Sequence, residues 1–142
     1  MWQALEVRDW NDRLTFSPGV RAGDFIFLSG LTASDAEGRI VCPHDIVGQM
    51  RFIYEKIASI LDKVGADLGA IVETTEFFVP CEEYKNTAHL RRALFPHRFP
   101  AATGIPVSQL IRKEALVEIR AVAYVPISGE RRDDHGRRGA GE

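Results

Sequence analysis

The chain is short of the features that would specialise it. Two cysteines, Cys42 and Cys81, are too few for a disulfide framework. They make no Cys-x-x-Cys pair, and the four histidines are scattered, so metal-ligand spacing is missing and structural zinc is not expected. No apolar run approaches the roughly 20 residues that a membrane-spanning helix needs. Met1 to Glu6 lack a basic region leading into an apolar stretch, so a cytoplasmic protein without a membrane partner is expected. An excess of one charge is missing as well. The 18 Lys+Arg against 20 Asp+Glu leave a formal net charge of -2 and no global attraction for phosphate backbones. With no basic, aromatic-lined groove in the sequence either, nucleic acid is not an expected partner.

What is present is the composition of a globular chain: 142 residues, 45% hydrophobic and 27% charged. Residues 1–128 read as one domain. Residues 129–142 read as a flexible charged tail, because Ala140 is their only apolar side chain and cannot offset the entropy of ordering them. A chain of this size has little room for both a core and a deep private pocket, which brings a site shared between subunits into consideration.

The pattern along the chain predicts β-β-α-β-α-β-β. Phe16 to Val20 and Phe25 to Ser29 form a hairpin around Arg21-Ala22-Gly23-Asp24. A second reversal falls at Glu37-Gly38-Arg39, and Asp45 then caps a helix whose apolar positions Ile46, Met50, Ile53, Ile57, Ile60, Leu61 and Val64 step by three or four residues up to Gly65. Ile71 to Val79 is β-branched and aromatic and stops at Pro80. Glu82 to Phe95 predicts a second helix, and Thr103 to Val107 and Leu116 to Val125 predict two last strands around a polar loop. In the last strand Val117, Ile119, Ala121, Ala123 and Val125 share one face and Leu116, Glu118, Arg120, Val122 and Tyr124 the other. Helices cover only one of those faces, so the second is a candidate subunit interface.

Several strings in this order resemble the Rid family, the YjgF-type reactive intermediate deaminases. They are Phe16 to Gly30 (FSPGVRAGDFIFLSG), the helix end Lys63-Val64-Gly65-Ala66, the strand Val72-Glu73-Thr74-Thr75-Glu76-Phe77, and Ala115-Leu116-Val117-Glu118-Ile119-Arg120-Ala121. The resemblance runs from about Phe16 to Tyr124. It implies a chorismate-mutase-like α+β fold with two helices packed on one face of the sheet. It also implies a homotrimer with ligand sites in the inter-subunit clefts. The implied chemistry is cofactor-free hydrolysis of small enamine or imine metabolites, such as 2-aminoacrylate, to a keto acid and ammonia. That reaction needs an arginine to clamp the carboxylate, an acid to move the proton and a closed pocket for the attacking water.

Residue by residue, Glu118 matches the family's glutamate thought to bind or activate water, and Ser29-Gly30 matches the Ser-Gly turn that approaches the ligand. Phe16 stands where the family usually has tyrosine and Ile105 where a cysteine is often found. Counting back from Glu118 without a gap, the family's carboxylate-binding arginine falls on Thr103 in Pro100-Ala101-Ala102-Thr103-Gly104-Ile105, and a one-residue shift puts it on Ala102; neither can make that clamp, and Thr103 is the polar one of the two. Its hydroxyl could still donate to a ligand carbonyl, though a β-branched strand residue is the plainer account. Arg98 and Arg112 are candidates to restore an anion site, against the plainer account of solvated loop charge.

Glu118 is the candidate acid or base, the alternative being an ion pair with Arg120, two residues along on the same face. Cys81 has no neighbouring histidine to activate it and reads as a small hydrophobe. The expectation is a deaminase of altered specificity with Glu118 and Thr103 as catalytic candidates and Phe16, Ser29, Gly30, Ile105 and Arg112 around the ligand. A non-catalytic trimer that binds a metabolite or partner stays open. So does a chorismatase-like enol-ether hydrolase, suggested by Thr-Gly-Ile after the Pro-Ala string.

Overall fold

The structure, a computed structural model, describes residues 1–127, so the 129–142 tail lies outside the described residues. One mixed sheet of six strands runs through it in the order β1-β2-β3-β6-β4-β5. The strands are β1 (Gln3–Ala4), β2 (Gly19–Ala22), β3 (Phe25–Leu28), β4 (Ile71–Phe78), β5 (Ala101–Pro106) and β6 (Val117–Tyr124), and the α-helices are α1 (Ile46–Asp62) and α2 (Thr87–Leu94). All neighbours are antiparallel except β4 and β5, which run parallel with α2 in their connection.

α1 follows its sequence closely. The Asp45 carboxylate accepts the Gly48 N–H at 2.9 Å, an N-cap worth about 1 kcal/mol. Gly65 takes the left-handed conformation (φ 73°) just past the helix end. Ile46, Met50, Ile53, Ile57 and Leu61 are all at most 1% exposed and pack on Val117, Ile119, Ala121 and Ala123 of β6, each contributing about 1.5–3 kcal/mol by burial. The alternation read in β6 is thus correct, and the face carrying Glu118, Arg120, Val122 and Tyr124 has no helix over it.

Some boundaries differ from the sequence expectation. The hairpin strands end and begin either side of Gly23-Asp24 alone, in a two-residue reversal with Gly23 at φ 60°, so Arg21 and Ala22 belong to a strand. β1 was not expected; Gln3 and Ala4 carry no strand signal and extend only because Arg21 and Val20 offer them a free edge. The second helix is split into a 3-10 segment, Glu82–Asn86, and α2. β5 starts at Ala101, two residues before the expected Thr103, because the parallel ladder to Glu73 and Thr74 outweighs the weak strand preference of alanine.

A buried charge ties α2 to the sheet. Glu76 of β4 is 3% exposed, and its carboxylate accepts Arg91 Nε at 2.8 Å, Arg91 Nη2 at 2.6 Å and the Tyr84 hydroxyl at 3.0 Å. The bidentate fork satisfies a group that would otherwise be costly to bury. Tyr84 stacks on Phe78 with ring centroids 3.7 Å apart. Burial, with the Glu76 charge beside it, pushes the Tyr84 phenol up to about 12.

Candidate active site

A cleft of about 820 Å³ opens beside β6, lined by Phe16, Gly30, Thr32, Gly38, Arg112 and Glu118 among others. A second lobe of about 610 Å³ shares Phe16, Gly30, Thr32, Gly38 and Arg112 with it and runs on to Phe52 and Lys56. Each wall is built by a traceable contact.

Phe16 is held from behind by Trp10, whose Nε1 donates to the Phe16 carbonyl at 3.1 Å and whose ring meets the Phe16 ring edge-on at 5.7 Å. Gly30 follows β3, and the next residue, Leu31, exchanges backbone hydrogen bonds with Ile119 of β6 at 2.9 and 3.0 Å. This lays Gly30 against Glu118. A Cβ at Gly30 would collide with Oε1 of Glu118 and lie 3.2 Å from its Cδ, so only glycine leaves the carboxylate its place.

Glu118 is half-buried and has no ion-pair partner among the described residues. Arg120, the alternative partner read from the sequence, points the same way but pairs in register with Thr75 and makes no bridge to Glu118. Burial pushes the Glu118 carboxyl above its ordinary value of 4.5. A carboxyl in that state, beside a phenyl ring and a space for small molecules, is suited to give and take a proton.

Two polar residues that sequence reasoning missed hold the opposite wall. Gln49 is fully buried in α1, and its Nε2 donates to the carbonyls of Cys42 (3.2 Å) and Glu114 (3.0 Å) while its Oε1 accepts the Leu116 N–H at 2.8 Å. It thereby fixes the loop of Ile111, Arg112, Lys113 and Glu114, in which Glu114 sits at φ 72°. About two turns along α1, Lys56 Nζ donates to Thr32 O at 2.9 Å, Ser34 O at 3.0 Å and Ser34 Oγ at 3.3 Å. Both lie on the apolar stripe of α1, beside Met50 and Ile57. A polar residue in such a stripe must find buried partners, and that was the available signal.

Of the residues expected at the site, Phe16, Gly30, Arg112 and Glu118 come together in the cleft. Ser29 does not line it; its Oγ donates to Ser17 O at 2.6 Å and its N–H to Pro18 O at 3.0 Å, which pins the end of β3. Thr103 and Ile105 are exposed on β5, outside the cleft. Register puts Ile105, Phe77 and Glu118 in one row, and Thr103, Thr75 and Arg120 in the next. At about 4.8 Å per strand, Ile105 and Glu118 are roughly 10 Å apart on one sheet face. Arg98 lines a separate hollow with Leu94, Phe95 and Asp67. Among the described residues no three His, Cys, Asp or Glu side chains gather as a metal site, and no helix is long and apolar enough to cross a membrane.

This scaffold has relatives. The family model for Endoribonuclease L-PSP matches residues 11–125 of the chain. The chain belongs to this family, the Rid or YjgF-type proteins. A RutC family protein of Pyrococcus abyssi is 29% identical over 109 residues, 77% of this chain and 85% of the relative. The 3-aminoacrylate deaminase RutC of Acinetobacter baylyi is 27% identical over 110 residues, 78% of this chain and 86% of the relative. Among solved structures, the Rid family protein YyfA of Yersinia pestis superposes with a TM-score of 0.78 at 26% identity, covering 88% of this chain and 100% of that one. These likenesses support a Rid-type deaminase or hydrolase role.

Proposed function

We propose that this chain hydrolyses a small enamine, imine or related unsaturated metabolite without a cofactor, using Glu118 as acid and then base. The observation that carries the reading is the unpaired, half-buried Glu118 carboxyl against Gly30 in a cleft large enough for a metabolite. Protonated Glu118 delivers its proton to the enamine carbon, giving an iminium ion. The resulting carboxylate takes a proton from the water that adds to the neighbouring C=N carbon; the reprotonated acid then passes that proton to the amino nitrogen, and ammonia leaves as the hydroxyl returns its proton to Glu118 and the carbonyl forms. Phe16 packs on the ligand and Gly30 lets the carboxylate approach it. Thr103 and Ile105 would enter only from a second subunit, across the uncovered sheet face.

That face supports a homotrimer of the chorismate-mutase-like fold with clefts between subunits. Phe25, Phe27 and Tyr124 on it are 42%, 46% and 47% exposed. The partners on this reading are a small-molecule metabolite and further copies of the chain, in the cytoplasm, with no nucleic acid or membrane. Light scattering on the purified protein will give a trimer mass; a monomer mass would leave Thr103 and Ile105 without a role.

The reading is tested by ammonia release from freshly generated enamines and imines, with and without a carboxylate. Turnover in the wild type that falls by about a hundredfold or more in Glu118→Gln, the scale of one general acid-base group, supports it. Turnover unchanged in the variant would overturn it. A second reading, a trimer that binds a metabolite without turning it over, is favoured by the threonine at position 103, and it expects ligand binding without turnover in both proteins.

A further inference from the structure

We infer that the cleft takes an elongated anion: a carboxylate seated between Arg112 and Lys56, separated by a spacer from the reacting carbon at Glu118. The inference rests on the proposed reaction site, and it concerns the part of the cleft that reaction leaves unused. Glu118 lines one lobe only, Lys56 lines the other only, and Arg112 stands where they meet.

Neither cation makes an ion pair among the described residues. The Lys56 ammonium rests on three neutral oxygens, of Thr32 and Ser34, which occupy its three donors, and Asp35 acts on its charge only from a distance. The Arg112 guanidinium makes one long hydrogen bond, to Gly38 O at 3.4 Å, so most of its five N–H donors are free. Of the acids on the same wall, Asp35 and Glu37 are already engaged, while Asp9 also lines the Lys56 lobe. Asp35 accepts the backbone N–H groups of Glu37 and Arg39 at 3.0 and 2.9 Å, and Asp35 and Glu37 share the Arg39 guanidinium at 3.4 and 3.5 Å. Arg112 and Lys56 line one lobe and repel one another; burial first and the Arg112 charge second hold the Lys56 ammonium below its ordinary value, with the Asp35 carboxylate opposing them. An anion between them relieves that repulsion. The planar fork of Arg112 suits a carboxylate, while Lys56 supplies field.

Position matters as much as charge. A carboxylate attached directly to the reacting carbon would sit in the Glu118 lobe, away from Lys56 and against a group that becomes negative once it gives up its proton. Placed in the Lys56 lobe it is separated from Glu118, and the apolar surface of Phe16 and Leu14 between them fits a hydrocarbon spacer. The chain thus replaces the anion site lost at Thr103 with one on the facing loop, which selects longer molecules.

Calorimetric titration of the full-length wild type, Arg112→Gln and Glu118→Gln with hexanoate, hexanamide and acetate tests this. The expected result is hexanoate binding at least about tenfold tighter than both other probes, the value of one charge-assisted contact. That preference over hexanamide should vanish in Arg112→Gln and persist in Glu118→Gln. Arg112 is an exposed loop residue, so its variant folds. Equal binding of hexanoate and hexanamide, no binding of either, acetate as tight as hexanoate, or an unchanged preference in Arg112→Gln would each overturn the inference. Ammonia release by Glu118→Gln reports on the catalytic reading separately, so one can fail while the other stands.

Discussion

Replacing Gly30 with alanine isolates the placement of one carboxylate. Gly30 is not in the left-handed region, so alanine is acceptable to the backbone and only space is at issue. The new Cβ would lie 3.2 Å from Cδ and 3.3 Å from Cγ of Glu118 and in collision with Oε1. To restore ordinary contact the oxygen must retreat by roughly 1 Å, and a misplacement of that size costs on the order of a hundredfold in rate. This corresponds to about 2.7 kcal/mol of lost transition-state stabilisation. Folding should suffer far less, because the group that must move is the end of a side chain and not backbone. The assay pairs kcat/KM for ammonia release with a urea denaturation midpoint. A large loss of kcat/KM at nearly unchanged midpoint is expected. Full activity in Gly30→Ala would refute the argument that the Glu118 carboxylate works from its observed position.

Three further outcomes follow from other contacts. Arg91→Met leaves the Glu76 carboxylate buried with only the Tyr84 hydroxyl, and should destabilise the fold by about 3–5 kcal/mol in urea denaturation; a loss below about 1 kcal/mol would mean Glu76 turns out to solvent. Gln49→Leu keeps the volume but takes the donor from the Glu114 carbonyl and the acceptor from the Leu116 N–H, while the Cys42 carbonyl keeps the Asp45 N–H, at about 1–3 kcal/mol for a group left unpaired away from water. Its sharper signature is faster proteolysis between Ile111 and Glu114, and a wild-type cleavage rate would count against Gln49 as the anchor of that loop. Finally, because burial raises the Glu118 pKa, this group's stabilising contribution is complete below its unfolded value near 4.5 and is lost as pH rises through the folded value. Glu118→Gln should therefore gain stability over wild type at about pH 7 and not at about pH 4; equal differences at the two would contradict a raised pKa.

The sequence was most informative where one local rule decided the outcome. The stripe from Ile46 to Leu61, its Asp45 cap and Gly65 were sufficient for α1, and the alternation from Val117 to Val125 told which face of β6 carries Glu118. The resemblance pointed to Phe16, Gly30 and Glu118, and the fold gathers them. What stayed hidden depends on neighbours distant in the chain. Glu76 looks like one more strand residue until Arg91 arrives from α2, and the position of Gln49 on the apolar stripe shows that it is buried but not that its partner is the carbonyl of Glu114, 65 positions away. Gln3 and Ala4 form a strand only because β2 presents an unpaired edge. The choice between Arg98 and Arg112 was likewise invisible, since it turns on which loop crosses the cleft.

The single ladder that holds β5 bears on how such a chain can change over generations. Every residue from Ala101 to Pro106 is exposed in the chain, and the strand pairs only with β4. Substitutions at exposed positions of this kind commonly alter stability by no more than about 0.5 kcal/mol. The helix-packed layer beneath Val117 and Ile119 is thus insulated from the rim where Thr103 and Ile105 sit. An ancestral side chain there could be exchanged with little penalty to folding, leaving the rim open to drift and reuse while the core stays as it was.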